Sequence, residues 1–299
     1  MKYLAFFLVP LVGLWLALSG FWSGREMPVP HVQPAASLLW KIETPGVKQP
    51  SYLFGTMHLI RKEYFYFPAS LEKIIKKSSV VVLELPGLPD PLEAMKYIML
   101  DEGSFFDYFT PQQTDTILQW AQQKMGMSED LFRSAFSMFK PFIVIQTATQ
   151  LQFMGQTESY EVTIQTLAQQ NKIPLEGLET VAEQMKIFDD LTQAQQAEMV
   201  MESIRNEAEA KALTDHMQAL YRRQQIDSLY AMIHEEGGVL ADEQNAFLDQ
   251  RNLNWIPKIQ AYATRGKAFI AVGAGHLGGE NGVIRLLEKA GCKVTPVQF

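Results

Sequence analysis

The sequence predicts an α/β fold, with a buried mixed β-sheet built from two related halves and a mostly helical middle insert. Three observations predict it. Ser51-Tyr-Leu-Phe-Gly55-Thr-Met-His58-Leu59 and Ala268-Phe-Ile-Ala-Val272-Gly273-Ala-Gly-His276-Leu277 share one grammar, a short apolar run closed by Gly-x-x-His-Leu. Val80-Val-Val-Leu-Glu84-Leu is a continuous apolar run broken by a single carboxylate. Between them, from Pro91 onward, apolar residues recur at helical spacing. Short β-branched or aromatic runs that stop at glycine read as buried strands, and glycine lets the chain turn sharply at the strand end. Each histidine is thereby delivered to the carboxyl edge of a sheet, where α/β folds bind ligands. The shared pattern also predicts that the two strands are neighbours, with both histidines facing one cleft.

The elements follow in order. Met1-Lys2 precedes an uncharged apolar run, Tyr3–Trp22, which reads as an export signal. Ala17-Leu-Ser19 offers small residues for cleavage before Gly20, but the run also matches the ~20 residues that span a bilayer. Residues 1–22 are therefore a cleaved signal or a retained membrane anchor. Either way Lys2 favours a cytoplasmic start and places the body in the periplasm or on a membrane facing it. No cysteine stands at the end of the run, which argues against a lipoprotein anchor. Residues 23–36, with Pro28, Pro30 and Pro34, read as an extended linker that includes His31.

Leu38–Glu43 and Tyr52–Phe54 flank Pro45-Gly46 as a β-hairpin. A helix over Ala69–Ser78 leads to the Val80 strand. Thr110-Pro111 is a helix start, Lys140-Pro141 opens an apolar helix, and Glu158–Gln170 is another. Lys172–Glu176 is a strand running into Gly-Leu-Glu179-Thr180, with Thr180 as a helix cap. Residues 181–235, rich in Gln, Glu, Ala and Met, form the helical insert, with Met185, Met199, Met201 and Met217 as core. Ala246–Ala263 is helical, followed by strand Ala268–Val272, a glycine-rich loop, helix Asn281–Ala290 and strand Lys293–Val297.

Composition narrows the function. At 47% hydrophobic and 20% charged residues the chain is globular rather than disordered. A net charge of -7 without a dense Lys/Arg run argues against nucleic acid as a partner. Cys292 is the single cysteine, so no intrachain disulfide forms, and its place before the last strand suits a buried thiol. Gly273-Ala-Gly275-His-Leu-Gly278 matches the dinucleotide fingerprint in form, but the acid expected ~20 residues on is missing, so no nucleotide is expected. The glycines instead suit a tight loop that orients His276.

His58 and His276 in matched settings point to a joint role. Glu84 is costly to bury unless paired, metal-bound or at an exposed strand end. Glu179 follows the next strand in a similar position, where a helix-start carboxylate is an equal reading. Two imidazoles and one or two carboxylates suit a divalent first-row cation, Mn, Co or Zn alike. Arg251, beside Asn252, reads as an oxyanion holder or a surface ion pair. His216 and His234 lie among polar residues and read as solvated.

Phe54-Gly-Thr-Met-His58, Val82-Leu-Glu84-Leu, Gly177-Leu-Glu179-Thr, Arg251-Asn252 with Trp255, and Val272-Gly-Ala-Gly-His-Leu-Gly-Gly-Glu-Asn-Gly282 together resemble the TraB/GumN family, in the wider Tiki, TraB and pheromone-shutdown group. The resemblance covers the chain from Leu38 onward, making 37–299 one TraB/GumN-like domain. Where the family often has Gly-x-Asp before its middle helix, this chain has Ser159-Tyr160-Glu161. The resemblance implies an α/β fold of two related halves with a divalent-metal site, and the animal Tiki relatives look like membrane-anchored metalloproteases.

The expectation is thus an exported metal-dependent hydrolase acting on a peptide or protein. His58, His276 and Glu84 hold the metal, Glu84 or Glu179 acts as base, and Arg251 steadies the oxyanion. The rivals are a non-catalytic binder of a secreted peptide or signal, and an iron or haem carrier.

Overall fold

A computed structural model describes residues 37–87, 91–153, 155–235 and 241–298 of the chain. The apolar run Tyr3–Trp22 and the proline-bearing linker lie outside these residues. Among the described residues no helix is long and apolar enough to cross a membrane.

The described residues hold eight strands and twelve α-helices. In order they are β1 (Leu39–Glu43), β2 (Ser51–Thr56), β3 (Ile60–Arg61), α1 (Ala69–Lys76), β4 (Val80–Leu83), α2 (Pro91–Ile98), α3 (Pro111–Met125), α4 (Glu129–Phe136), α5 (Phe142–Phe153) and β5 (Thr157–Glu158). There follow α6 (Tyr160–Gln170), β6 (Leu175–Gly177), α7 (Val181–Asp189), α8 (Gln193–Arg205), α9 (Glu207–Arg222), α10 (Ile226–Glu235), α11 (Ala241–Arg265), β7 (Ala268–Gly273), α12 (Val283–Lys289) and β8 (Lys293–Val297).

Six strands form one mixed sheet in the order β6-β4-β7-β2-β1-β8. β6, β4, β7 and β2 run parallel, and β1 is antiparallel to both β2 and β8. The two Gly-x-x-His strands are direct neighbours, as their shared pattern predicts: Gly55 pairs with Val272 and Thr56 with Gly273. Parallel strands buried on both faces read as continuous apolar runs. Ala268–Val272 is buried throughout, and so are Val81, Val82 and Leu83. The β1–β2 turn uses Gly46 at φ 79°, a conformation that costs glycine nothing.

A first core joins both faces of the sheet to α1, α6, α12, the later part of α9, α10 and the middle of α11. A second core is wholly helical. It gathers α2 to α5 with α7 and α8, and includes the ring pairs Phe132–Phe136 at 4.4 Å and Phe142–Phe188 at 4.7 Å. Residues 181–235 therefore divide between the two cores. Met185, Met199 and Met201 are buried in the helical core, whereas Leu220, Tyr221, Ile226 and Leu229 pack on the sheet.

Local signals set the helix starts. Thr110 and Thr180 each close a capping box, with Gln113 and Glu183 returning the hydrogen bond. The loop after β7 is glycine-rich because α10 lies against it. A Cβ at Gly278 would sit 2.6 Å from the Ile226 carbonyl oxygen, closer than backbone can accept. Cys292 is buried and free.

Candidate functional site

The carboxyl ends of the four parallel strands deliver one polar group each to the same place. The chain leaves β2 into Met57-His58, β4 into Glu84, β6 into Leu178-Glu179, and β7 into a 3-10 turn, Ala274–His276. The ladder continues past β4 and β6, with Leu178 N–H donating to the Leu83 carbonyl and Glu179 N–H to that of Glu84, both at 2.9 Å. On the other side Gly273 N–H donates to Glu84 Oε1 at 2.8 Å. Glu84 therefore stands at the strand end between its two neighbours.

Helix α11 crosses these strand ends. Arg251, Trp255 and Lys258 fall at i, i+4 and i+7, one stripe of the helix. Arg251 Nη2 donates to Glu84 Oε2 and to Glu179 Oε1, both at 2.6 Å, and its Nε donates to Glu179 Oε2 at 3.1 Å. Trp255 Nε1 also donates to Glu179 Oε2, at 3.1 Å, and Lys258 caps the Leu178 carbonyl. Arg251 is 5% exposed, so it is no surface pair. Its fork holds two buried carboxylates.

The two histidines are set differently. His276 is buried against Trp255, with ring centroids 4.5 Å apart. Its Nδ1 meets Asn252 Oδ1 at 2.7 Å, and the Asn252 amide is oriented by donating to the Asn281 carbonyl at 2.9 Å. An amide oxygen can only accept, so Nδ1 carries the proton and Nε2 accepts from Arg251 Nη1 at 3.2 Å. His58 retains 14% of its side-chain surface. Its Nδ1 lies 2.9 Å from Glu161 Oε1, and its Nε2 faces Glu84 Oε1 at 4.0 Å.

Charge follows from these partners. Burial alone raises a carboxylate, yet Arg251, the two imidazoles and Gly273 N–H together hold Glu84 down at about 2. Burial wins over Arg251 at Glu179 and keeps it above the usual carboxylate range. At His276 burial and the facing guanidinium push the ring down to about 3. Burial also opposes charge at His58, but Glu161 and Glu84 overcome it and raise the ring to about 9.

His58, His276 and Glu84 are donor types that suit a divalent cation, and both Nε2 atoms lie about 4 Å from Glu84, but the His276 Nε2 lone pair is engaged by Arg251, which a cation would have to displace. Gly273 leaves space between them: a Cβ there would stand 3.4 Å from Glu84 Oε1, 3.6 Å from His276 Cδ2 and 3.7 Å from His58 Nε2. The spacing is wider than a ligand set, since Glu84 Oε1 lies 4.0 and 3.9 Å from the two Nε2 atoms. Ligands held tetrahedrally at ~2.1 Å from one ion stand about 3.4 Å apart. Among the described residues no three His, Cys, Asp or Glu groups reach metal-ligand spacing.

The structure thus brings His58, His276, Glu84, Glu179 and Arg251 together. It also adds Glu161, Asn252 as the partner of His276, and Gln184, whose Nε2 donates to Glu84 Oε2 at 3.3 Å. Of these, Asn252 carried a signal in the sequence as part of Arg251-Asn252, and Glu161 as the acid standing where the family often has Gly-x-Asp; Gln184 carried none. His216 is exposed, but His234 is not solvated as expected. It is half-buried, stacked on Tyr230 at 3.8 Å and 3.6 Å from Asp249, because α10 packs against the glycine-rich loop.

No curated protein and no solved structure matches the chain. The pattern of the TraB/PrgY/gumN family matches residues 38–296, which take in every site group above. The chain belongs to the TraB/PrgY/gumN family.

Proposed function

We propose that the chain is a hydrolase of peptides that works with a divalent cation, Mn, Co or Zn, held by His58, His276 and Glu84. The observation that carries this reading is the convergence of both Gly-x-x-His histidines on Glu84 at the carboxyl ends of adjacent parallel strands. When bound there, such an ion activates water and polarises a carbonyl.

The protein groups divide the remaining work. Glu84, kept ionised, is a fixed negative charge between the two imidazoles. Glu179, raised by burial, has the proton affinity that suits a general base. Arg251 fixes both carboxylates with its planar fork and adds positive charge in a water-poor setting, where charge acts strongly. His58, the more exposed of the two rings, faces the approaching substrate.

The test is metal stoichiometry and peptide hydrolysis on wild type, His58→Ala, His276→Ala and the double variant. Either single change should remove most of the metal and the activity, with the double variant little worse, as for residues acting as one unit. Metal content and hydrolysis indifferent to both histidines would replace the hydrolase reading with that of a binding protein.

A further inference from the structure

His58 is held from behind by a group outside the trio assigned to the metal. Glu161 Oε1 lies 2.9 Å from His58 Nδ1, off the ideal N–H line, and Nδ1 has no other hydrogen-bond partner. Both atoms are shielded from solvent, and the buried Thr56 hydroxyl beside the carboxylate helps His58 keep Glu161 ionised. The other carboxylate oxygen is tied down by Ser159, whose hydroxyl donates to Glu161 Oε2 at 2.9 Å. Ser159 also caps α6, accepting from Val162 N–H, so the carboxylate is fixed to the start of a helix, where negative charge is favoured.

The approach is built by a separate small sheet. β3 begins two residues after His58 and β5 ends three residues before Glu161. The two strands pair antiparallel, Ile60 with Glu158 and Arg61 with Thr157, and Lys62 N–H extends the ladder to the Gln156 carbonyl at 3.0 Å. Helix α9 locks the outer side. Gln218 Oε1 accepts from Arg61 N–H at 3.1 Å, and Asp215 pairs with the Arg61 side chain at 2.7 Å. Two segments about a hundred residues apart are thus clamped so that their acid and imidazole meet.

We propose that Glu161 is a positioning residue, which keeps the proton of the neutral His58 ring on Nδ1 and so turns a bare Nε2 toward Glu84 and Gly273. A carboxylate beside Nδ1 can only accept, so the neutral ring places its single proton there. Without Glu161 the free tautomer preference returns, Nε2 becomes a donor, and its lone pair is lost to the cleft. Both Gly-x-x-His histidines then present the same atom by different means, Asn252 behind His276 and Glu161 behind His58. Partners of this kind also raise the basicity of a ligating ring.

The test reads the tautomer directly, by 15N chemical shifts of the imidazoles in metal-free protein at an alkaline pH where the rings are neutral. Wild type and Glu161→Gln, which keeps an acceptor oxygen, should show His58 protonated on Nδ1. Glu161→Met, close in length and without an acceptor, should move the proton toward Nε2 and leave His276 unchanged as internal reference. The inference is overturned if Glu161→Met keeps the Nδ1 tautomer. It is overturned without any variant if wild-type His58 carries its proton on Nε2. Titration with Zn²⁺ alone supplies a second arm, which rests on the hydrolase reading. Glu161→Met should weaken uptake about 10–100-fold, with Glu161→Gln restoring most of it. A wild type that takes up no cation disposes of the metal, while the tautomer still decides the role of Glu161.

Discussion

His58 and His276 leave adjacent parallel strands through the same four-residue pattern and arrive in opposite chemical settings. His276 is enclosed: a neutral amide supports Nδ1, an indole covers the ring, and a guanidinium faces Nε2. His58 keeps an opening to solvent, has a carboxylate at Nδ1 and a second carboxylate ahead of Nε2. One ring is held at about 3 and the other at about 9. The strand-and-glycine motif therefore fixes where an imidazole stands, and the helices packed over the strand ends fix what it does. α11 brings Asn252, Arg251 and Trp255 to His276, whereas α6 brings Glu161 to His58.

The largest effect should come from the group that makes the His276 side cationic. Arg251 compensates two buried carboxylates, so Arg251→Ala leaves Glu179 without a counter-charge and Glu84 with only the more distant His58, and should cost about 3–5 kcal/mol. Denaturant unfolding measures this. Arg251→Lys should recover part of the stability but not the simultaneous grip on Glu84 and Glu179, since an ammonium lacks the planar fork. A loss below about 1 kcal/mol for Arg251→Ala would mean that burial of these charges does not set the contrast between the rings.

Much of this arrangement is legible in the sequence, and the legible part is local. Apolar runs ending in glycine place β2 and β7, their shared grammar pairs them, and Glu84 betrays itself as a lone carboxylate in an apolar strand. Thr110 and Thr180 announce their helices because capping is settled within four residues. What escapes is the partner at long range. Glu161 reaches His58 only because β3 pairs with β5. Asn252 reads as a neighbour of Arg251, although its partner, His276, is 24 residues away. His234 looks solvated from its polar neighbours until Tyr230 and the glycine-rich loop enclose it.

A medium effect should appear in the pH dependence of stability, measured on chelator-treated protein. The unfolded His value is 6.5 and folded His58 sits at about 9, so between these the folded state binds more protons. The His58 contribution is complete below 6.5 and is lost as pH rises through about 9. His276 works in the opposite sense. Its folded value of about 3 means that the unfolded state binds more protons from 6.5 downward, so stability falls as pH drops toward 3. Glu84 adds to the acid loss between 4.5 and about 2. His58→Gln should therefore flatten the alkaline side and, because the His58 charge also holds Glu161 and Glu84 down, soften part of the acid side, whereas His276→Gln should act on the acid side. Parallel curves for wild type and His58→Gln would remove the electrostatic basis of the contrast.

The smallest effect on stability should come at the point both rings share. Gly273 has φ −52° and ψ 135°, which alanine adopts without strain. Its added Cβ would make ordinary contacts of 3.4–3.7 Å with Glu84, His276 and His58 rather than clashes. Gly273→Ala should thus change the unfolding free energy by no more than about 0.5 kcal/mol, the range of a tolerated substitution. The methyl would nevertheless occupy the space between the two imidazoles and the carboxylate, where a cation or a reacting group must sit. Uptake of Zn²⁺ and peptide hydrolysis should fall together in this variant while its melting temperature and the 15N shifts of both histidines stay near wild type. If hydrolysis persists with the space filled, the rings act separately, and the contrast between them would describe two sites rather than two sides of one.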